Sequence, residues 1–318
     1  MTIFKQERKP DISVIVPVVE RYDDLRKVFV EYSEPFRKIG KGFEFIFVVD
    51  GGFNKAYEEL KSLKNEFNEI KIIKFARNFF ESIALMTGIE HARGDIIFTL
   101  SAYFQVEPNA INEIMVQLKK GYDLIITRRF PRRDNILNRI QASSFNLLVR
   151  KITACSFRDI ASGLRGMKSE VAKSLELTGD MHRFIPILAY QKGYKVLEIN
   201  AAQRAEDKKL RFYGLGTYTR RFIDIVTLFF LIKFTRKPLR FFGLIGINLF
   251  SVGAVITGYL AYVRLFMSQG IAGRPLLLLG LLLMVLGIQI ASLGLLGELI
   301  IFTHARDIKE YHIGEIIE

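Results

Sequence analysis

Cysteine and histidine are scarce in this chain of 318 residues: there is one cysteine, Cys155, and there are four histidines, His91, His182, His304 and His312. A lone cysteine excludes an intramolecular disulfide framework and any multi-cysteine zinc or iron–sulfur site, which fits a reducing compartment. The histidines show no His-Glu-x-x-His or paired spacing, which argues against a zinc hydrolase. Cys155 and His182 read as packing residues. An apolar stretch is missing before Pro10, so no cleavable signal peptide is expected. Acid is in short supply as well: 46 Lys and Arg face 33 Asp and Glu, a net charge of +13.

Charge is absent altogether from residues 241–263, FFGLIGINLFSVGAVITGYLAYV. At about 1.5 Å per helical residue, such a run crosses a hydrocarbon core of about 30 Å. Residues 275–302 form a second run, interrupted only near its end by Glu298, with a short linker between the two. The pair reads as a transmembrane hairpin. Gly280, Gly287 and Gly294 recur every seven residues with Ala291 between, a small-residue stripe against which a neighbour can pack closely. Glu298 is expected to pair with Arg236 or Arg240. Arg220, Arg221, Lys233, Arg236, Lys237 and Arg240 precede the hairpin, and His304, Arg306 and Lys309 follow it, whereas its outer loop and edges hold only Arg264 and Arg274. By the positive-inside rule both termini are cytoplasmic. Residues 217–234 have basic ends and a broad apolar face, the pattern of an interfacial helix. The basic surplus then suits anionic lipid better than nucleic acid.

What the rest contains is alternation. Residues 12–19, 43–49, 70–75, 95–100 and 124–127 read as strands, and residues 25–36, 56–67, 81–91 and 110–120 as helices. This order predicts an α/β fold with a mostly parallel sheet covered by helices on both faces, and ligands beyond the carboxyl ends of the strands. The segments there are 17–21, 50–52, 77–78, 101–108 and 128–129.

Those segments read VPVVER, VVDGG, ARNFFESIALMTGIEHARGD, LSAYFQVEP and TRRFPRRDNILNRIQASSFN, followed by DIASGLRGM. In this order, with the hairpin behind them, they resemble family 2 glycosyltransferases, closest to the polyprenyl-phosphate sugar transferases with two C-terminal membrane helices. The resemblance implies a GT-A nucleotide-diphosphosugar fold, a nucleotide-sugar donor, a polyprenyl phosphate acceptor at the inner membrane, and a role in cell-envelope glycan assembly. It implies a cytosolic domain over residues 1–215, interfacial segments over 216–240, the hairpin over 241–304 and a cytoplasmic tail over 305–318. Self-association is compatible with the family and with the glycine stripe.

By the same resemblance, Arg128, Arg139 and Asp159 are catalytic, and Pro17, Glu20, Asp50, Arg77, Ser101, Tyr103 and Gln105 meet the donor. Arg128, Arg129, Arg139 and Arg165 meet the acceptor phosphate. The residues themselves leave other readings open: Asp50 suits a turn before two glycines, and Arg128 to Arg133 suit a solvated or lipid-facing basic face. Asp159 reads as ordering its loop rather than abstracting a proton. The family's Asp-x-Asp followed by Leu-Gln is here Ser101-Ala102-Tyr103-Phe104-Gln105. No metal ligand is assigned, and Mg²⁺ or Mn²⁺ would need other ligands, with Asp50 and Glu107 the first carboxylates to consider. A catalytically silent scaffold relative is the rival reading.

Overall fold

The computed structural model describes residues 9–132, 155–177, 179, 181–208, 223, 238–267 and 275–304. The chain divides between Asp224 and Ile225 into two compact units.

The first unit is built on β1 (Ile12–Val18), β2 (Phe43–Val49), β3 (Ile70–Lys74), β4 (Ile96–Thr99), β5 (Leu124–Arg129), β6 (Arg165–Lys168) and β7 (Val196–Ala201). They form one sheet in the order β3-β2-β1-β4-β6-β5-β7. β1 to β4 run parallel, with Ile12 opposite both Phe43 and Ile96. Their near-continuous apolar runs are those of strands buried on both faces. β6 is antiparallel to β4 and to β5, whereas β7 returns parallel to β5. The alternation read from the sequence is therefore present. The antiparallel insertion is not part of that reading, because four residues, Arg-Gly-Met-Lys, carry no strand signal of their own.

Helices α1 (Leu25–Ile39), α2 (Asn54–Glu66), α3 (Phe80–Glu90) and α4 (Ala110–Lys119) connect the strands, with the shorter α5 (Ser169–Ser174) and α6 (Ile185–Gln191) after β6. Asp24 caps α1 by accepting from the Lys27 N–H at 2.9 Å, and Gly40 ends it at φ 71°, a left-handed position. The buried face of α1 brings Phe29 and Phe36 onto Phe45 and Phe98 of the sheet, with ring centroids 5.0 and 5.1 Å apart for Phe29–Phe45 and Phe36–Phe98. Each such ring contributes roughly 1.5–3 kcal/mol by leaving water. The strand order reverses between β1 and β4, which opens a crevice beyond their carboxyl ends.

The second unit contains α7 (Pro238–Phe266) and α8 (Pro275–His304). Only 17% and 11% of their apolar windows are buried, so neither is the core helix of a soluble fold, and their length and composition suit a membrane span. The glycine stripe of α8 packs within the hairpin, where Gly280 and Gly287 lie against Gly253 and Gly246 of α7. Glu298 accepts from the Leu239 N–H at 3.3 Å, at the positive end of the α7 dipole. That backbone donor is the partner seen for the intramembrane acid; of the two arginines expected for it, Arg236 lies outside the described residues. The interfacial segment 217–234 and Arg139 also lie outside them.

Candidate active site

Beyond β1 and β4, a pocket is lined by Pro17, Glu81, Leu85, Thr99, Ser101, Gly163 and Arg165. Pro17 comes from β1, Ser101 from the turn after β4, and Arg165 from the start of β6, so three of the residues expected at the donor or acceptor converge here. Gly163 sits close against the same turn: a Cβ there would lie 2.1 Å from Ser101 Oγ, so the Ser101 side chain would have to move. Its N–H donates to Gln105 Oε1 at 2.8 Å, and Gln105 Nε2 donates to the Tyr103 hydroxyl at 2.8 Å. Burial, then the nearby carboxylates of Glu81 and Asp207, push the Tyr103 phenol above its usual range, so it stays protonated. The Arg21 guanidinium covers the Tyr103 ring at 4.4 Å, a cation–π contact.

Arg165 is buried. Its terminal nitrogens donate to the carbonyls of His182 at 2.9 Å and Ile160 at 3.1 Å, and its Nε has no hydrogen-bond partner. Burial lowers its pKa to about 10, still charged at neutral pH. Behind it, His182 is held well below its usual pKa by burial, with Arg183 and Arg165 adding to the effect, so it is neutral at pH 7. His182 packs against Ser82 and faces Glu81 Oε2 at 3.2 Å, consistent with its reading as a packing residue.

The loops after β2 and β3 form the adjoining rim. Asp50 is buried and takes up three backbone donors: Oδ1 accepts from Phe79 at 2.8 Å and from Gly51 at 3.2 Å, and Oδ2 accepts from Phe80 at 3.2 Å. It thereby satisfies orphan N–H groups at the start of α3. The turn-forming reading of Asp50 is thus realised, and its place beside Arg77 leaves it at the expected edge. A Cβ on Gly51 would lie 2.5 Å from Arg77 Cα, so these two loops close only over glycine. The Arg77 guanidinium lies over the Phe79 ring, and Glu20 is exposed on the loop after β1.

Phe80 adopts φ 64° although it is not glycine, and its ring is exposed. A side chain in that region costs about 1–3 kcal/mol. Phe80→Gly is therefore expected to raise stability by about 1 kcal/mol after glycine's own entropic cost, read as a higher urea midpoint with unchanged slope. A lowered midpoint would mean that the ring has packing not evident from its exposure.

The two arginines that end β5 separate by strand parity. Successive side chains leave opposite faces, so Arg128 and Arg129 point apart. Arg129 Nε and Nη2 hold Asp159 at 2.8 and 3.0 Å, and Arg129 Nη1 reaches Asp207 at 3.4 Å. Arg132 adds a contact to Asp159 at 3.6 Å. Burial favours neutral Asp159, but Arg129 overrides it and holds the carboxyl below its usual range. With both oxygens engaged by guanidinium groups, Asp159 orders its loop. Arg128 stacks over Phe130 at 5.1 Å and makes no ion pair among the described residues. Arg21, Glu81 and Asp207 are absent from the residues assigned by sequence. Arg21 carried a signal, its position directly after β1, whereas Asp207 reaches Arg129 only through the tertiary fold.

Comparison with known proteins agrees with this geometry. The sequence model described as glycosyl transferase family 2 matches residues 13–176, just over half of the chain. Dodecaprenyl-phosphate galacturonate synthase of Rhizobium johnstonii is 26% identical over 93% of this chain and 89% of its own length. Undecaprenyl-phosphate 4-deoxy-4-formamido-L-arabinose transferase of Pectobacterium carotovorum is 29% identical over 96% of this chain and 94% of its own. Among solved structures, glucosyl-3-phosphoglycerate synthase of Mycobacterium tuberculosis, in complex with Mn²⁺, UDP-glucose and glycerol 3-phosphate, superposes with a TM-score of 0.51 at 13% identity. That match covers 70% of this chain and 79% of the other and shows a shared GT-A fold. The crevice at the β1/β4 switch point, the motif order along the strand ends and the family match together make this chain a member of glycosyl transferase family 2.

Proposed function

We propose that the chain transfers a sugar from a nucleotide-sugar donor to a polyprenyl phosphate at the cytoplasmic face of the membrane. The observation that carries this reading is the extent of the likeness. Both relatives, named for polyprenyl-phosphate sugar transfer, match over more than nine-tenths of this chain, its two apolar helices included. A transferase with a soluble acceptor has no need of such a hairpin.

In the transfer, an acceptor phosphate oxygen bonds to the anomeric carbon. The bond from that carbon to the donor diphosphate breaks, and the electron pair leaves with the nucleoside diphosphate. A phosphate monoester has its second pKa near 6 and is largely ionised at neutral pH, so no strong general base is needed. Asp159 has no proton to abstract and acts by holding Arg129. Arg128, whose charge is not spent on a carboxylate among the described residues, is the candidate for the acceptor phosphate together with Arg139. The pocket around Pro17, Ser101 and Arg165 is the candidate for the donor, at the switch point where this fold class binds ligands.

The test is product formation. The purified full chain in detergent, given undecaprenyl phosphate and a panel of radiolabelled nucleotide sugars, is expected to make a labelled lipid extractable into organic solvent from one donor. The replacement of both Asp-x-Asp carboxylates by Ser101 and Tyr103 favours a silent relative instead. Binding of nucleotide or lipid with no product from any donor would establish that alternative.

A further inference from the structure

We propose that two guanidinium groups, Arg21 and Arg165, hold the donor diphosphate at the place where Asp-x-Asp relatives hold a divalent cation, so that this transferase works without a metal. The inference rests on the donor reading above.

The residues around the 101–103 segment do not suit a hard cation, which needs several oxygen ligands, carboxylates above all. Ser101 and Tyr103 occupy the two positions, and the Tyr103 hydroxyl is held by Gln105 while its ring lies beneath Arg21. The surrounding carboxylates are engaged. Asp50 accepts three backbone N–H groups, and Asp159 and Asp207 hold Arg129. Glu107 faces Arg204 at 3.4 Å, and Glu81 faces His182. Among the described residues, no three His, Cys, Asp or Glu side chains gather into a metal-binding group.

The same segment is flanked by two guanidinium groups. Arg165 is 3% exposed and lines the pocket beside Pro17 and Ser101, yet it donates only to carbonyls and its Nε is unpartnered. The carboxylates of Glu81 and Asp159 offset part of the cost of burying this guanidinium, and an anion entering the pocket would offset more. Arg21 approaches from the β1 side. Its Nη2 makes long contacts of 3.4 Å to Asp23 and one of 3.2 Å to the Glu206 carbonyl, and its Nε is buried without a partner. Two planar forks with donors to spare match the paired oxygens of a diphosphate. Glu81 is the one acid lining the pocket among the described residues; its carboxylate is within 3.2 Å of the neutral His182 ring and attracts the Arg165 guanidinium.

The experiment measures binding, apart from turnover. The full chain in detergent is titrated with UDP and UMP, and with the GDP/GMP and CDP/CMP pairs, in EDTA and again in Mn²⁺. One diphosphate is expected to bind equally well in both. Arg21→Gln and Arg165→Gln are each expected to weaken that diphosphate about tenfold while changing its monophosphate much less, since a charge-assisted hydrogen bond is lost only where the second phosphate sits. Arg21 is on a partly exposed loop, so its variant reports even where Arg165→Gln fails to fold. Diphosphate binding that requires Mn²⁺, or variants that weaken both nucleotides alike, would overturn the inference and leave the donor reading standing. Binding of no nucleotide under any condition would reject the donor reading and this inference with it.

Discussion

Asp159→Asn is expected to destabilise the sheet-containing unit by about 3–5 kcal/mol, the cost of leaving a buried charge without its partner. Asp159 is 2% exposed and accepts from Arg129 through Nε, Nη2 and the backbone N–H, with Arg132 nearby. The Asp159 carboxylate thus ties the loop before β6 to β5, while Glu198 of β7 separately holds the N–H groups of Arg158 and Asp159 at 2.8 Å. Asparagine keeps the shape but supplies one acceptor and no charge. Arg129 would then face only Asp207 at 3.4 Å. Because the folded-state pKa of Asp159 is lowered, its contribution is fully present above the unfolded value of about 3.9 and is lost as pH falls through the lower folded value. Urea unfolding at pH 7 reads the full loss, and the difference between wild type and variant should shrink only below about pH 4. A loss under 1 kcal/mol at pH 7 would show that Arg129 is satisfied without Asp159.

The second large effect lies in the hairpin. A Cβ on Gly246 would lie 2.5 Å from the Gly287 carbonyl oxygen, and one on Gly253 would lie 2.6 Å from that of Gly280. The contacts are reciprocal, because a Cβ on Gly287 would meet the Gly246 carbonyl at 2.6 Å. The obstructing atoms are backbone, which cannot swing aside as the end of a side chain can. In lipid, where no hydrophobic force drives the helices together, this close approach is what joins them. Gly246→Leu is therefore expected to cost at least the 1–3 kcal/mol typical of overpacking, read by SDS titration of the reconstituted chain. Gly258→Leu is the control, since a Cβ there meets nothing within 4 Å. Equal effects of the two substitutions would contradict the crossing geometry.

The sheet was legible because β1, β2 and β4 are near-continuous apolar runs between turn residues, and the helices because their apolar spacing is regular. β6 was not, since Arg165–Lys168 becomes a strand only by pairing with β4 and β5. At the site, the crevice position followed from topology alone, and Pro17, Ser101 and Arg165 meet there. What sequence left hidden is partnership. Arg128 and Arg129 look alike in a run of arginines, yet strand parity gives one a buried carboxylate and leaves the other without an ion pair among the described residues. Asp50 reads first as a donor contact and second as a turn-former, and its bonds to the Phe79 and Phe80 N–H groups appear only in the fold. The stripe of Gly280, Gly287 and Gly294 in α8 reads as a face for a close neighbour, and only the fold shows that α7 is that neighbour.

The measurement that tests the account most directly is the rate of lipid-linked sugar formation by the full chain from its preferred nucleotide sugar, in excess EDTA and again with added Mn²⁺. A site that offsets the leaving diphosphate with Arg21 and Arg165 should give the same rate in both. Product that vanishes in EDTA and returns with Mn²⁺ would contradict it.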